Sequence, residues 1–330
     1  MIGDNDYYWY KLYCANGIGP KSLHKIYNVI NKKSLDVSLV FEMNERELRT
    51  EFGMDLKTSN SLKKLNDQRC HQDYENIKQK QIHIIHIAHE HYPEKVRSRM
   101  GDSTPPLLFC GGNISLLNSA SVSIVGSRNA SEKELSLTKD LTKELVYEGK
   151  NIVSGYAKGI DTFAHLTALE NNGTTTFVLS YGIFKFSWKR EFSHINRNEN
   201  FLAVSQFSPQ LNWQARNAMI RNKLVVSLAD GVVVIKSGSE KNAQGQLSGT
   251  FDTASTALKL DIPLFVLSSS LLEAPAEGNS ELIRNGGIEI TLENAVKTIS
   301  EVILNHNSGL NTIKNLVSDS QLTLDFIKDK

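Results

Sequence analysis

The stretch Ser123-Ile124-Val125-Gly126-Ser127-Arg128 and, about thirty residues on, the stretch Ser154-Gly155-Tyr156-Ala157-Lys158-Gly159-Ile160-Asp161 decide how this chain is read. Each is an apolar strand that runs into glycine, small hydroxylated residues and one cation. Between them lies one helix-length amphipathic segment, about 132–148, in which Leu137, Leu141 and Leu145 recur every four residues as a buried stripe. Gly149 stands where a helix-ending glycine belongs. The unit is strand–loop–helix–strand–loop, with two anion-ready loops at the carboxyl ends of neighbouring parallel strands. In open α/β sheets ligands bind at that edge.

Working outward, the alternation continues. A helix at about 160–171 ends at Asn171-Asn172-Gly173, and strands follow at Thr175–Leu179 and Phe201–Val204. A helix from Ala215 to Leu228, a fully buried strand at Gly231–Ile235, a helix at about 251–259 and a strand at Pro263–Val266 come next. Gly286-Gly287-Ile288-Glu289-Ile290 offers a last strand and 293–305 a last helix. Such spacing predicts an α/β fold with a doubly wound, mostly parallel sheet and right-handed crossovers. Upstream, Ile82–Ile87 and Leu107–Cys110 are expected strands. Before them residues 7–65 read as short helices, and a polar helix of about 59–80 leads into the sheet. In Gly17-Ile18-Gly19-Pro20 the glycines permit a tight hairpin turn and Pro20 suits the next helix start. That turn suits a contact with DNA phosphate, and it is also a common connector in small helical modules. The expected division is a helical domain at 1–75, an α/β domain at 76–290, and a short C-terminal helix with a polar tail at 291–330.

Over 330 residues the net charge is +1, with 40% hydrophobic and 22% charged residues. A uniformly basic surface is excluded, so any nucleic-acid surface is a local patch. Cys14, Cys70 and Cys110 show neither a CxxC pair nor zinc spacing and read as reduced, mostly buried thiols. His83, His86, His89 and His91 are spaced like a metal cluster but lack HExxH or a carboxylate partner, so a strand face running into a solvated loop is the expectation. No metal and no cofactor are expected. The acidic start lacks an apolar signal core, and no 18-residue apolar run occurs, which predicts a cytoplasmic protein without a membrane partner.

The chemistry is concentrated in four segments. Gly126 lets the backbone turn off its strand; Ser127 offers a hydroxyl, and Arg128 a planar cationic fork suited to phosphate oxygens. Ser154, Gly155, Gly159 and the following helix start form an anion-binding mouth, to which Lys158 adds a point charge. Asp161 and His165, four residues apart, share a helix face. They read as loop-orienting groups, with an acid/base pair as the alternative. Arg216-Asn217 and Arg221-Asn222, with Lys223, put cations and amides at a helix start, and Ser248-Gly249-Thr250 opens another helix by a glycine-plus-hydroxyl device. No nucleophile stands beside a base, so catalysis is not expected.

These residues, in this order, resemble the DNA-processing family DprA, also called Smf. The resemblance rests on Gly126-Ser127-Arg128, on Ser154 to His165, on Arg221-Asn222 with Asp230, on Ser248-Gly249-Thr250 with Thr253-Ala254, and on Gly278-Asn279 with Leu282-Ile283 and Gly286-Gly287. It covers about residues 7–290. It implies an extended Rossmann-like domain preceded by a small all-helical domain of helix-hairpin-helix or SAM-like type. It also implies single-stranded DNA bound without catalysis, a homodimer, and loading of a RecA-type recombinase during natural transformation. Arg128 and Lys158 would be the main backbone contacts. Two departures stand out. Residues 290–330 are too short and polar for the winged-helix-like domain of many relatives, and Phe186-Ser187-Trp188-Lys189-Arg190 replaces the usual tyrosine-proline pair. Tyr156, Phe184, Phe186 and Trp188 are candidates for base stacking, with core packing as the alternative. The competing function is a nucleotide-binding sensor on a related sheet. Neither a dinucleotide GxGxxG loop nor a Walker GxxxxGK[ST] loop is present.

Overall fold

The structure, a computed structural model, describes residues 5–196, 200–241 and 245–309. Its strands are β1 Ile82–His86, β2 Leu107–Gly112, β3 Ser121–Val125, β4 Asn151–Ser154, β5 Thr175–Val178, β6 Phe201–Ser205, β7 Gly231–Val234, β8 Leu264–Leu267 and β9 Ile288–Ile290. They form one sheet in the order β1-β2-β6-β5-β4-β3-β7-β8-β9. From β6 to β9 every neighbouring pair is parallel, whereas β2 runs antiparallel to both β1 and β6. The continuous apolar runs fit this, because a parallel strand is covered on both faces. Val233 and Ile235 face the helices Glu132–Tyr147, Ile160–Glu170 and 295–309, while Val232 and Val234 face the helices Ala215–Leu228 and Gly249–Lys259.

The strand order places the site. From β3 the chain steps outward through β4, β5 and β6, then returns to the other side of β3 with β7, β8 and β9. A crevice therefore opens at the carboxyl ends of β3 and β7, where the direction of winding reverses.

The expected polar helix of about 59–80 is in fact two, Leu56–Lys63 and Asp67–Gln79. The break occurs because the Asn66 side chain accepts the Arg69 N–H at 2.9 Å and caps the second helix. That second helix runs across the expected 75/76 boundary, and the helical region shares its core with β1 and β2. Trp9 stacks on His86 at 5.2 Å, and Tyr13 meets Phe109 edge-on at 5.8 Å. His86 is thus a packing residue. Gly17, at φ 87°, lies against Thr58, so one side of the hairpin turn is covered by the helix Leu56–Lys63. In the helix 295–309, Ala295, Ile299 and Ile303 are buried in the α/β core. The expected polar tail from 310 onward lies outside the described residues. No described helix is long and apolar enough to cross a membrane.

Candidate functional site

The first two loops form one packed object. The Ser127 N–H donates to the Lys236 carbonyl at 3.0 Å, pinning the loop after β3 to the segment after β7. Gly126 admits the helix Ile160–Glu170, because a Cβ there would stand 2.6 Å from Ile160 Cγ1. Gly159 takes φ 80° at the cap of that helix and presses on the Ser127 carbonyl, 2.5 Å from where its Cβ would be. At Gly155 a Cβ would stand 1.5 Å from the Arg221 guanidinium. These glycines bring protein to protein; Gly155 makes room for a side chain from the facing helix Ala215–Leu228.

Arg221 is 6% exposed, yet it makes no hydrogen bond or ion pair with any described residue, and its Nε is buried without a partner. Buried guanidinium groups are ordinarily paired. Burial lowers its pKa, the Asp161 carboxylate opposes that through space, and the like charge of Arg128 adds to it. Asp161, also buried, accepts the Ala157 N–H at 3.3 Å. Burial pushes its carboxyl up, against the pull of Arg221, the Ala157 N–H and Lys189. Arg128 and Lys158 are exposed and have no ion pair among the described residues. The ordinary explanation of such an arginine, a tie to an internal carboxylate, is not met at Arg128.

Above Arg221 opens a cleft of about 820 Å³, lined by Gly126 to Asn129, Asp161, Arg216, Arg221, Asn222 and Ser248 to Thr250. The structure thus brings all four segments to one edge, but their members differ in role. Ser154 stands behind the cleft, its hydroxyl donating to the Ile124 carbonyl at 2.6 Å. Ser127 Oγ accepts the Asn129 N–H at 3.1 Å, and Ser248 Oγ caps its helix by accepting the Phe251 N–H at 3.3 Å. Asn222 donates to the Gly249 carbonyl at 3.3 Å and to Asp252 at 3.1 Å, tying two helices together. Asp230 lies at the opposite edge of the sheet, where it accepts the Ser121 N–H at 2.9 Å.

His165 is fully buried, its Nδ1 2.6 Å from Thr175 Oγ1 and its ring 4.2 Å from that of Phe177. Burial, then Lys189 and Arg221, hold its pKa well below the usual histidine range. The imidazole is neutral at physiological pH and turned away from the cleft, which suits a packing role and not proton transfer.

One feature escaped sequence reasoning, and another chose between two readings that the sequence left open. Lys189 Nζ donates to the Tyr156 carbonyl at 2.8 Å, the Ala157 carbonyl at 3.1 Å and Thr162 Oγ1 at 2.7 Å, and lies 4.1 Å from the Tyr156 ring centroid. It stabilises the second loop where Tyr156 adopts φ 55°, a costly conformation for a non-glycine residue. Burial lowers the Lys189 pKa to about 8, with Asp161 and Glu191 opposing. The only sequence signal was its place in the segment that replaces the tyrosine-proline pair. The second concerns the aromatic residues, for which the structure shows the core packing given as the alternative to base stacking. Tyr156, Phe186 and Trp188 pack with Phe177, Phe192 and Phe201, with ring centroids 4.8 Å apart for Tyr156–Phe177 and 4.9 Å for Trp188–Phe201. Phe184 packs against the same core. The aromatic residue at the cleft is Trp213, 55% exposed, with Leu247 at 58% beside the same opening.

An open α/β sheet wound in both directions from a switch point, with a cleft at the carboxyl ends of its strands, defines a Rossmann-like protein. Residues 83–302 match the family described as DNA recombination-mediator protein A, and the chain belongs to that family. It is 31% identical over 208 residues to the DNA processing protein DprA of Bacillus subtilis, an alignment covering 62% of this chain and 67% of that one. The corresponding Streptococcus pneumoniae protein is 32% identical over 194 residues, covering 57% of this chain and 64% of that one. The matched part therefore spans about two thirds of these relatives. The crystal structure of the S. pneumoniae protein superposes with a TM-score of 0.72 at 23% identity, covering 88% of this chain and 97% of that one. DNA processing protein A of Helicobacter pylori, described for its single-stranded DNA binding mode, gives 0.55 at 24% identity, covering 67% and 96%. Both share the fold.

Proposed function

We propose that the chain binds single-stranded DNA across the cleft and serves as a non-catalytic cytoplasmic mediator that shields exposed strands and passes them to a RecA-type recombinase. The observation that carries this reading is the set of cations at one sheet edge without ion-pair partners among the described residues, Arg128 on the cleft wall, Arg221 beneath it, and Lys158 exposed on the second loop outside the cleft lining. Phosphate contacts dominate nucleic-acid affinity and need local cations, which a chain of net charge +1 can still supply. The mouth, with Trp213 and Leu247, offers an apolar surface to unstacked bases, a property of single strands and not of duplexes. Membership of a recombination-mediator family supports the same reading. Gly126, Ser127, Gly249 and Thr250 shape the cleft wall; Ser154, Gly155, Gly159, Asp161 and His165 hold the loops.

The division into a helical domain at 1–75, the DNA-binding domain at 76–290 and a C-terminal segment is part of this reading. So is a homodimer. The outer side of β9, paired on its inner side with β8, offers backbone groups that a second copy would cover. Light scattering at micromolar concentration checks it; a strictly monomeric mass counts against it.

The decisive experiment is a titration with an oligothymidylate and with a duplex of equal length at two salt concentrations. Arg128→Ala and Lys158→Ala are each expected to weaken strand binding and to lower the salt slope by about 0.7. Unchanged affinity in a folded double variant would sink the assignment of these loops.

A further inference from the structure

Arg221 is harder to account for than the exposed cations. Arg128 and Lys158 are exposed to a strand passing over the surface, but the Arg221 guanidinium lies on the cleft floor, 6% exposed, with a buried Nε–H that no described residue satisfies. It is seated deliberately, since only a glycine at 155 leaves room for it. Among the described residues, the charged side chains lining the cleft are Arg128, Arg216 and Arg221 against the carboxylate of Asp161, an excess of two positive charges. An internal phosphodiester carries one negative charge, and its strand must both enter and leave. A phosphomonoester carries close to two at neutral pH and presents three unsubstituted oxygens from a single approach. Guanidinium forks are suited to such a group.

We infer that the floor of the cleft is a phosphomonoester site, in which Arg221 receives the terminal phosphate of a DNA strand or the phosphate of a free nucleoside monophosphate. The strand-end form rests on the single-stranded DNA reading above; the mononucleotide form does not. Asp161 and Gly155 act as positioning residues, holding the guanidinium with its free donors toward the cleft.

The full-length chain is titrated with three decathymidylates, one phosphorylated at its 5′ end, one at its 3′ end and one ending in hydroxyls, and separately with thymidine monophosphate. One phosphorylated strand is expected to bind roughly tenfold tighter than the hydroxyl-ended one, a difference of one charge-assisted contact. Arg221→Met should abolish that preference. Because it removes a buried, unsatisfied cation, its Tm should equal or exceed that of the parent. Equal affinity for all three strands, with no binding of the monophosphate, overturns the site while leaving single-stranded DNA binding in place. Binding of the monophosphate alone supports the site and overturns the DNA reading. A Tm drop of several degrees in both Arg221→Met and Arg221→Lys makes the arginine structural and overturns the assignment.

Discussion

The two edges of the same sheet treat their cations in opposite ways. At the amino ends of the strands, Arg99 donates to the Ser227 and Ala229 carbonyls at 3.0 and 2.6 Å, and Lys95 reaches the Ser119 carbonyl at 3.0 Å and Asp230 at 3.5 Å. Asp230 in turn accepts the Ser121 N–H, so these three charges join helix, strand and loop. At the carboxyl ends Arg128, Lys158 and Arg221 have no such partners among the described residues. Lys236 and Lys189 are exceptions at this edge, Lys236 donating to the fully buried Glu134 at 2.9 Å and Lys189 to the Tyr156 and Ala157 carbonyls. A cation that holds the fold is recognised by its spent donors, and one kept for a ligand by its unspent ones.

The contrast can be broken first at Gly155. Gly155→Ala drives a methyl group into the Arg221 guanidinium and should cost about 3 kcal/mol, the upper range for overpacking, and abolish the preference for a phosphorylated strand end. Urea unfolding together with the oligothymidylate titration reads both effects. A stable Gly155→Ala protein with that preference intact would mean that the seating of Arg221 is immaterial.

Asp230→Ala tests the other edge. Removing the carboxylate strands Lys95 and should cost about 2 kcal/mol, below the fully buried range because the Asp230 and Lys95 side chains are each 18% exposed. The folded fraction should bind DNA as the parent does. A loss of affinity at constant stability would erase the division of labour between the edges.

Trp213→Ala sharpens the picture at the mouth. It should weaken single-strand binding by about 1 kcal/mol, the low end for one stacked base, without changing the salt slope. Trp188→Ala, by contrast, should lower Tm and leave affinity per folded molecule intact, since Trp188 packs among Phe177, Phe186, Phe192 and Phe201.

The smallest effect concerns acid stability. Burial disfavours the charged Glu134, but hydrogen bonds from Ser131, then Lys236 and the Glu273 N–H, outweigh it and hold the carboxyl at about 2. Its folded pKa lies below its unfolded one, so its stabilisation is complete above the ordinary glutamate range. It is lost as pH falls toward about 2. Glu134→Gln should flatten the stability curve across that interval in pH-dependent melts, with DNA binding at neutral pH unchanged.

Much of the fold was legible because its signals are local. Leu137, Leu141 and Leu145 announce a helix face, Val232 to Val234 a buried strand, and Gly149 a helix end, whatever else surrounds them. The convergence of four loops was legible too, since parallel winding brings every strand's carboxyl end to one edge. The break at Asn66 was missed because one capping side chain overrode a continuous polar pattern. Lys189 was missed because its partners are backbone carbonyls more than thirty residues away.

The sequence by itself therefore determined the parallel winding, the family and the sheet edge at which the four loops meet. Periodicity and loop chemistry act over a few residues and survive without tertiary context. Which groups in that neighbourhood are free for a ligand was decided only by the tertiary structure. Availability depends on whether a donor has already found an acceptor elsewhere in the chain. Ser154 and Arg221 look equally suited to phosphate in the sequence. Folding gives the Ser154 hydroxyl to the Ile124 carbonyl and leaves the buried Arg221 Nε with nothing.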